Sequence, residues 1–207
     1  MGETPHVIGL GAGVRAIRRS LEADFRPRVV GITGPAGAGK STLAARLRDE
    51  CKGDGGCVVL STDDYLPDYD RVPEAERDLP GHADLALLAE HLRLLDAGEP
   101  ASIPVWSFHE HRRVDARLVT PPPGSVVIVE GLFALHARLG DAVGLRVFVE
   151  APTETRWSRW EAIERRGERG MGVEAARTFF HEVADPTYAR FADGYRALAD
   201  LIVRNEA

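Results

Sequence analysis

The sequence predicts an α/β fold: one mostly parallel sheet with helices on both faces and a helical lid. Three observations carry it. Short β-branched runs alternate with amphipathic helical stretches along all 207 residues. A glycine loop joins the first strong strand directly to a helix. A late basic, glycine-interrupted stretch forms a second helical layer, the lid, over about 156–184. We take residues 1–207 as a single domain with a sizeable core.

Composition sets the outer bounds. The hydrophobic share is 44%, the charged share 28% and the formal charge −6, as in ordinary globular chains. That balance argues against a broad nucleic-acid surface. No apolar run is long enough to span a bilayer, and Met1 to Leu10 lacks the pattern of a signal peptide. Cys51 and Cys57 provide neither a disulfide framework nor a four-ligand metal site. The expected location is cytoplasmic. Oligomeric state stays open, a homo-oligomer included.

The central stretch is Gly34-Pro35-Ala36-Gly37-Ala38-Gly39-Lys40-Ser41-Thr42, which fits G-x-x-x-x-G-K-[ST]. Val29 to Thr33 before it reads as a buried strand; Ser41 to Glu50 after it has Leu43, Ala44 and Leu47 at helical spacing. This is the context the motif needs, and it makes the fold a P-loop NTPase type. Gly34, Gly37 and Gly39 let the backbone curl so that N–H groups converge on phosphate oxygens, and the helix N-terminus adds positive charge. Lys40 can reach the β- and γ-phosphates, and Ser41 can hold Mg²⁺.

Upstream, Gly9, Gly11 and Gly13 suggest a dinucleotide loop, but Val14 stands where the third glycine belongs, and the reading fails. Val14 to Phe25 reads as a helix with Val14, Ile17 and Leu21 on one face. Lys52 to Gly56 is a turn. Cys57 to Leu60 is a strand that delivers Ser61-Thr62-Asp63-Asp64-Tyr65 to its C-terminal end, where ligands bind in open α/β sheets. The acidic pair suits catalysis, a metal or a helix cap equally. If the run is extended, its two carboxylates face opposite ways.

Leu66 to Pro80 is a loop broken by three prolines. Asp84 to Ala97 is a helix with Leu85, Leu88, Leu92 and Leu95 as core residues, closed by Gly98. Ile103 to Trp106 is extended and leads into His109, His111, Arg112 and Arg113, a basic aromatic stretch that could line a pocket; its histidines lack the partners of a metal site. Ser125 to Val129 is a buried strand ending in Glu130, the place for a second magnesium-associated carboxylate. Leu145 to Glu150 is a strand. Glu154 to Arg166 and Val173 to Ala184 are helices flanking the glycine-rich Gly167 to Gly172. Asp185-Pro186 breaks the chain, Ala189 to Ala199 is helical, and Asp200 to Val203 is the last strand.

The P-loop, Ser61 to Tyr65, Ile103 to Phe108 with His111 and Arg113, Val129 to Leu132, Glu168-Arg169-Gly170 and Ala199 to Ile202 occur in one order. This ordered set resembles the uridine kinase and phosphoribulokinase family of P-loop kinases from about Arg28 to Val203. The resemblance implies transfer of the γ-phosphoryl of ATP, with Mg²⁺, to a hydroxyl of a small metabolite, with a nucleoside such as uridine or cytidine as first choice. It implies catalytic roles for Asp63 (general base), Lys40 and Arg169. It places ATP on Gly34, Ala36, Gly37, Ala38, Gly39, Lys40, Ser41, Thr42 and Arg165, and the metal on Ser41 and Glu130. It places the acceptor on Asp78, Tyr65, Trp106, His111, Arg113 and Arg159. The acceptor segments depart from the family pattern: Tyr65-Leu66 replaces Phe-Tyr, Asp78-Leu79-Pro80 replaces Asp-His-Pro, Trp106 replaces a tyrosine, and Met171 replaces an arginine. The other readings are a kinase of a pantothenate-like, glycerate-like or sugar alcohol, or a nucleotide-dependent switch acting on a protein.

Overall fold

A computed structural model describes residues 6–22, 29–51 and 55–206. The end of the first expected helix at residues 23–25, the turn at 52–54 and the start of the chain at 1–5 lie outside them.

The main sheet has six parallel strands in the order β1-β8-β7-β2-β6-β3. They are β1 (His6–Gly9), β2 (Val29–Thr33), β3 (Cys57–Ser61), β6 (Val126–Glu130), β7 (Leu145–Glu150) and β8 (Leu201–Arg204), with a separate antiparallel hairpin of β4 (Ala101–Ser107) and β5 (Arg112–Val119). The central β2 is buried along its whole length, as its unbroken Val-Val-Gly-Ile-Thr run requires of a strand covered on both faces. One face carries α1 (Leu10–Glu22) and α2 (Lys40–Glu50), which pack Val14, Ile17, Leu43 and Leu47 against Ile32, Ile128 and Val147. The other carries α3 (Leu85–Asp96) and α6 (Asp185–Leu198), which pack Leu88, Leu92 and Tyr188 against Val29, Val127 and Ile202. The Asp84 side chain caps α3 by accepting from the Leu87 amide at 3.2 Å. Gly13 serves close packing: a Cβ there would come 2.7 Å from a Val203 methyl.

Residues 112–119 form a full strand for which no expectation was drawn, since their charged, exposed side chains give no burial alternation to read. One local expectation is corrected. Asp185-Pro186 does not break the chain. After α4 (Thr153–Arg165) and α5 (Val173–Phe179), a π-helical turn at Phe180–Ala184 runs straight into α6. Pro186 has no N–H to donate, and the wider turn, closed by Asp185 N–H on the Phe180 carbonyl, absorbs the missing bond.

The lid helices have their own small core. Trp157 and Trp160 of α4 meet Phe179 and Phe180 edge-on or tilted, with ring centroids 5.4–6.4 Å apart.

Candidate active site

The C-terminal ends of β2, β3 and β6 open into one cavity of about 420 Å³. It is lined by Gly37, Gly39, Lys40, Ser41 and Thr42 from the phosphate loop, by Asp63, Asp78 and Glu130, and by Arg166 and Arg169 of the lid.

The loop is shaped by its glycines and by two arginines of α4. Gly37 has φ 76°, and a Cβ there would collide with the Arg156 carbonyl. Arg159 donates to the Gly37 and Ala38 carbonyls at 2.9 and 3.3 Å; buried Arg156 reaches the Ala36 carbonyl at 3.5 Å and Asp185 at 2.6 Å. Asn205, just beyond β8, donates to the Ala38 carbonyl at 2.9 Å. With the Ala36 and Ala38 carbonyls held on that side, the trans peptide units put the Gly37 and Gly39 N–H groups on the opposite side, the arrangement an anion needs, while the Ala38 N–H closes the turn on the Pro35 carbonyl at 3.1 Å. Arg159 therefore belongs to the phosphate end, a correction to its expected place beside the acceptor. Gly34 and Ala38 support the loop from behind and do not line the cavity, whereas Ala36 does.

Lys40 rests with Nζ 3.1 Å from the Pro35 carbonyl. Burial lowers its pKa, while Glu130 and Asp63 pull the other way. The Ser41 hydroxyl donates to Glu130 at 3.0 Å. Burial pushes the Glu130 carboxyl up, with Lys40 the main opposing charge. A hydroxyl and a carboxylate, adjacent and facing the cavity, are hard oxygen donors of the kind Mg²⁺ takes.

Ser61 ends β3, and its side chain accepts from the Asp63 amide at 3.2 Å, capping a single 3₁₀ turn over Thr62–Tyr65. The run is thus a turn, not a continued strand, and residues step round by about 120° each. Asp63 enters the cavity. Asp64 points to the hairpin, accepting from the Trp106 amide at 3.4 Å and lying 3.8 Å from Arg117. Tyr65 turns into the core and bonds His91 Nδ1 at 2.8 Å. Divergence of the two carboxylates was expected from strand alternation; helical steps produce it instead.

Asp78 enters from the proline-rich loop. Burial first, then the Asp63 charge, raises its carboxyl to about 6, with Arg169 and Lys40 opposing. Arg169 sits between two aromatic faces, its guanidinium 4.8 Å from the Phe108 centroid and 4.9 Å from that of Trp160. Its charge acts on Lys40, Asp78 and Glu130 alike. His111 lines the cavity and stacks on Tyr69 at 5.2 Å and 16°.

Four expected contacts lie elsewhere. Besides Tyr65, Trp106 is only 6% exposed and its indole N–H is used on the Pro67 carbonyl at 3.2 Å. Arg113 braces the Tyr65 and Leu66 carbonyls and pairs with Asp84 at 3.5 Å. Arg165 is exposed and pairs with Glu161 at 3.0 Å, while Arg166 borders the cavity in its place. Tyr69, Trp160 and Glu164 are among the lining residues that had no sequence expectation. Buried Glu164 accepts from Trp160 Nε1 at 3.2 Å and from the Gly172 amide at 3.1 Å, which ties the lid tip to α4. Their i,i+4 spacing on one helix was the available signal.

Residues 29–206 match the profile of the Phosphoribulokinase / Uridine kinase family. The chain belongs to this family. It is 34% identical to a uridine kinase of Deinococcus deserti over 88% of its own length and 90% of the relative's. With a uridine kinase of Escherichia coli K12 it shares 32% over 84% and 85% of the two chains. A solved structure from Silicibacter sp. TM1040, a candidate fructose transport system kinase, superposes with a TM-score of 0.74 at 21% identity, over 94% and 98% of the two chains. A D-glycerate 3-kinase from Cryptococcus neoformans superposes with a TM-score of 0.57 at 20% identity, over 90% and 85%. These structures establish the kinase fold, and the family makes this chain a kinase. Among the described residues no helix is long and apolar enough to cross a membrane, and no cluster of three His, Cys, Asp or Glu could hold a metal unaided.

Proposed function

We propose that this kinase transfers the γ-phosphoryl group of ATP, with Mg²⁺, to a hydroxyl of a nucleoside such as uridine or cytidine, and that it works in the cytoplasm. The observation that carries it is one cavity lined by two chemically opposite sets of groups. The phosphate loop with Lys40 is one set; Asp63 and Asp78 are the other. The similarity to uridine kinases across most of the chain supports a nucleoside over a simpler alcohol.

Lys40 and the loop amides hold the β- and γ-phosphates. Ser41 and Glu130 would hold Mg²⁺, which would supply charge neutralisation for the phosphate oxygens. Asp63 accepts a hydrogen bond from the attacking hydroxyl, aims it and takes its proton as the new oxygen–phosphorus bond forms and the γ-phosphorus–oxygen bond to the leaving ADP breaks. Asp78 accepts from neighbouring hydroxyls of the acceptor. Arg169 reaches the transferring group from the lid, held by the two aromatic faces. Because Trp106, Arg113 and Tyr65 are engaged in the core, the acceptor's ring meets Tyr69 and His111.

The test is ATP consumption measured across nucleosides, sugars and hydroxy acids. Turnover with uridine or cytidine at least tenfold above all other acceptors is expected. Preference for a sugar or glycerate-like alcohol would replace the nucleoside, and ATP hydrolysis indifferent to every acceptor would replace the kinase.

A further inference from the structure

We infer that Glu164 is a positioning residue for phosphoryl transfer: its one buried carboxylate clasps the far end of the lid loop and orients the ring beneath Arg169, so that Arg169 is held at the cavity. This rests on the role proposed above for Arg169.

The lid loop has little in its own sequence to give it one shape. Between α4 and α5 it runs Arg166-Gly167-Glu168-Arg169-Gly170-Met171-Gly172, and Gly167, Gly170 and Gly172 take φ 70°, 73° and 81°. Glycine reaches such angles freely, but it also leaves an unheld chain many other shapes. The start of the loop is fixed by backbone. Gly167 N–H donates to the Glu164 carbonyl at 2.9 Å and Glu168 N–H to the Ile163 carbonyl at 3.3 Å, a glycine-terminated helix end. The far end is fixed by a side chain: Gly172 N–H donates to Glu164 Oε2 at 3.1 Å. The loop thus leaves from the main chain of Glu164 and returns to its carboxylate, with Arg169 in between.

The other carboxylate oxygen fixes what Arg169 lies on. Glu164 Oε1 accepts from Trp160 Nε1 at 3.2 Å, one helical turn back. That bond orients the indole whose face carries the Arg169 guanidinium at 4.9 Å, while Phe108 of the hairpin supplies the second aromatic face at 4.8 Å.

Glu164 is 5% exposed, and no step of the proposed reaction uses its carboxylate. A charge buried that deeply needs hydrogen bonds, and both of its oxygens have them from the lid itself. Its route to the reacting atoms therefore runs through Arg169. The chemistry also singles out a carboxylate. Two N–H donors meet two oxygens; a side-chain amide has one oxygen and can satisfy only one of them.

The test is a double-mutant cycle on the full chain. Turnover is read as ADP release with ATP and uridine, or with whichever acceptor of the screen turns over fastest. Glu164→Gln should lower kcat roughly tenfold and leave the ATP KM within about twofold. In the Arg169→Ala background, itself slowed, the same change should cost less than about twofold, because the group it acts through is gone. Hydrogen exchange needs no acceptor: amides over 165–172 should exchange roughly tenfold faster or more in Glu164→Gln, while those of β2 and β6 keep their rates and show that the variant is folded. Equal losses of kcat in both backgrounds overturn the inference, as does full activity of Glu164→Gln or unchanged exchange in the loop. An Arg169→Ala variant as fast as the unmodified chain would remove the proposed role of Arg169 itself, and the inference with it.

Discussion

The two ends of the cavity are built in different ways. The phosphate end comes from one continuous segment, Gly34 to Thr42, whose backbone does the recognising and whose carbonyls are held from behind by Arg156, Arg159 and Asn205. The acceptor end is assembled from side chains delivered by separate pieces: Asp63 by a 3₁₀ turn, Asp78 and Tyr69 by a proline-rich loop, His111 by a hairpin and Arg169 by the lid. A backbone cradle tolerates little variation in sequence, because its glycine φ angles and helix start must stay fixed. An assembly of side chains can change its members one at a time. In this chain the phosphate loop carries the full motif, whereas the segments proposed for the acceptor depart from the pattern they resemble.

The largest effects should come from the two residues proposed to meet the transferring group. Lys40→Ala removes the lysine proposed for the β- and γ-phosphates and should lower kcat by roughly 10³-fold or more. Asp63→Asn should lower kcat by roughly 10²- to 10⁴-fold while ATP binding persists. Asp64→Asn should cost less than about tenfold, since Asp64 faces the hairpin and not the cavity. Steady-state kinetics and nucleotide titrations on the three variants decide this; a larger loss at Asp64 would move the base there.

Glu130→Gln comes next. The amide keeps the size and can still accept from Ser41, but loses the charge offered to Mg²⁺. Apparent Mg²⁺ affinity should fall roughly 10- to 100-fold, with the acceptor KM unchanged. A Mg²⁺ titration of kcat reads this directly, and an acceptor KM that moves instead would mean Glu130 serves the wrong end.

A smaller effect separates pocket from core at Trp106. Trp106→Phe keeps an aromatic ring but loses the N–H bond to the Pro67 carbonyl. The cost should be about 1 kcal/mol of stability by denaturant unfolding, with the nucleoside KM within about twofold. A large rise in that KM would return Trp106 to the acceptor.

Five of the six strands of the main sheet, the phosphate loop and most helical stretches were legible in the sequence because each carries a periodicity or a fixed spacing, whereas the short β1 and the starts of α1 and α6 were not. Strand β2 is apolar throughout, and α3 repeats leucine at three and four. What escaped shares one feature: it depends on which way a short irregular segment turns. Ser61 capping a 3₁₀ turn, not a strand, decides that Asp63 enters the cavity and Tyr65 leaves it. A residue at position 106 can be matched to a family motif, but only its packing shows that its N–H is already used. Pro186 reads as a helix breaker until the π turn before it supplies the room.

The last test concerns Asp78 and asks whether the site carries unfavourable charge. Burial and the neighbouring Asp63 raise this carboxyl from 3.8 to about 6 in the folded chain. A group whose folded pKa is raised binds its proton more tightly folded than unfolded. Its contribution to stability is therefore full below pH about 3.8 and is lost as pH rises through about 6. Above pH about 6 the Asp78 carboxylate is disfavoured by its burial and by the Asp63 charge, and on the proposed reading acceptor hydroxyls would offset this by donating to it. Asp78→Asn removes the charge. Its Tm should match that of the unmodified protein near pH 4 and exceed it by roughly 2–4 °C at pH 7–8. The acceptor KM of the same variant should rise about tenfold, since a neutral amide is a weaker acceptor than a carboxylate. Equal Tm differences at both pH values would show that Asp78 is not held above its ordinary range. A gain in Tm without a change in KM would show that its charge is strain alone and that the acceptor is held by Asp63, Tyr69 and His111.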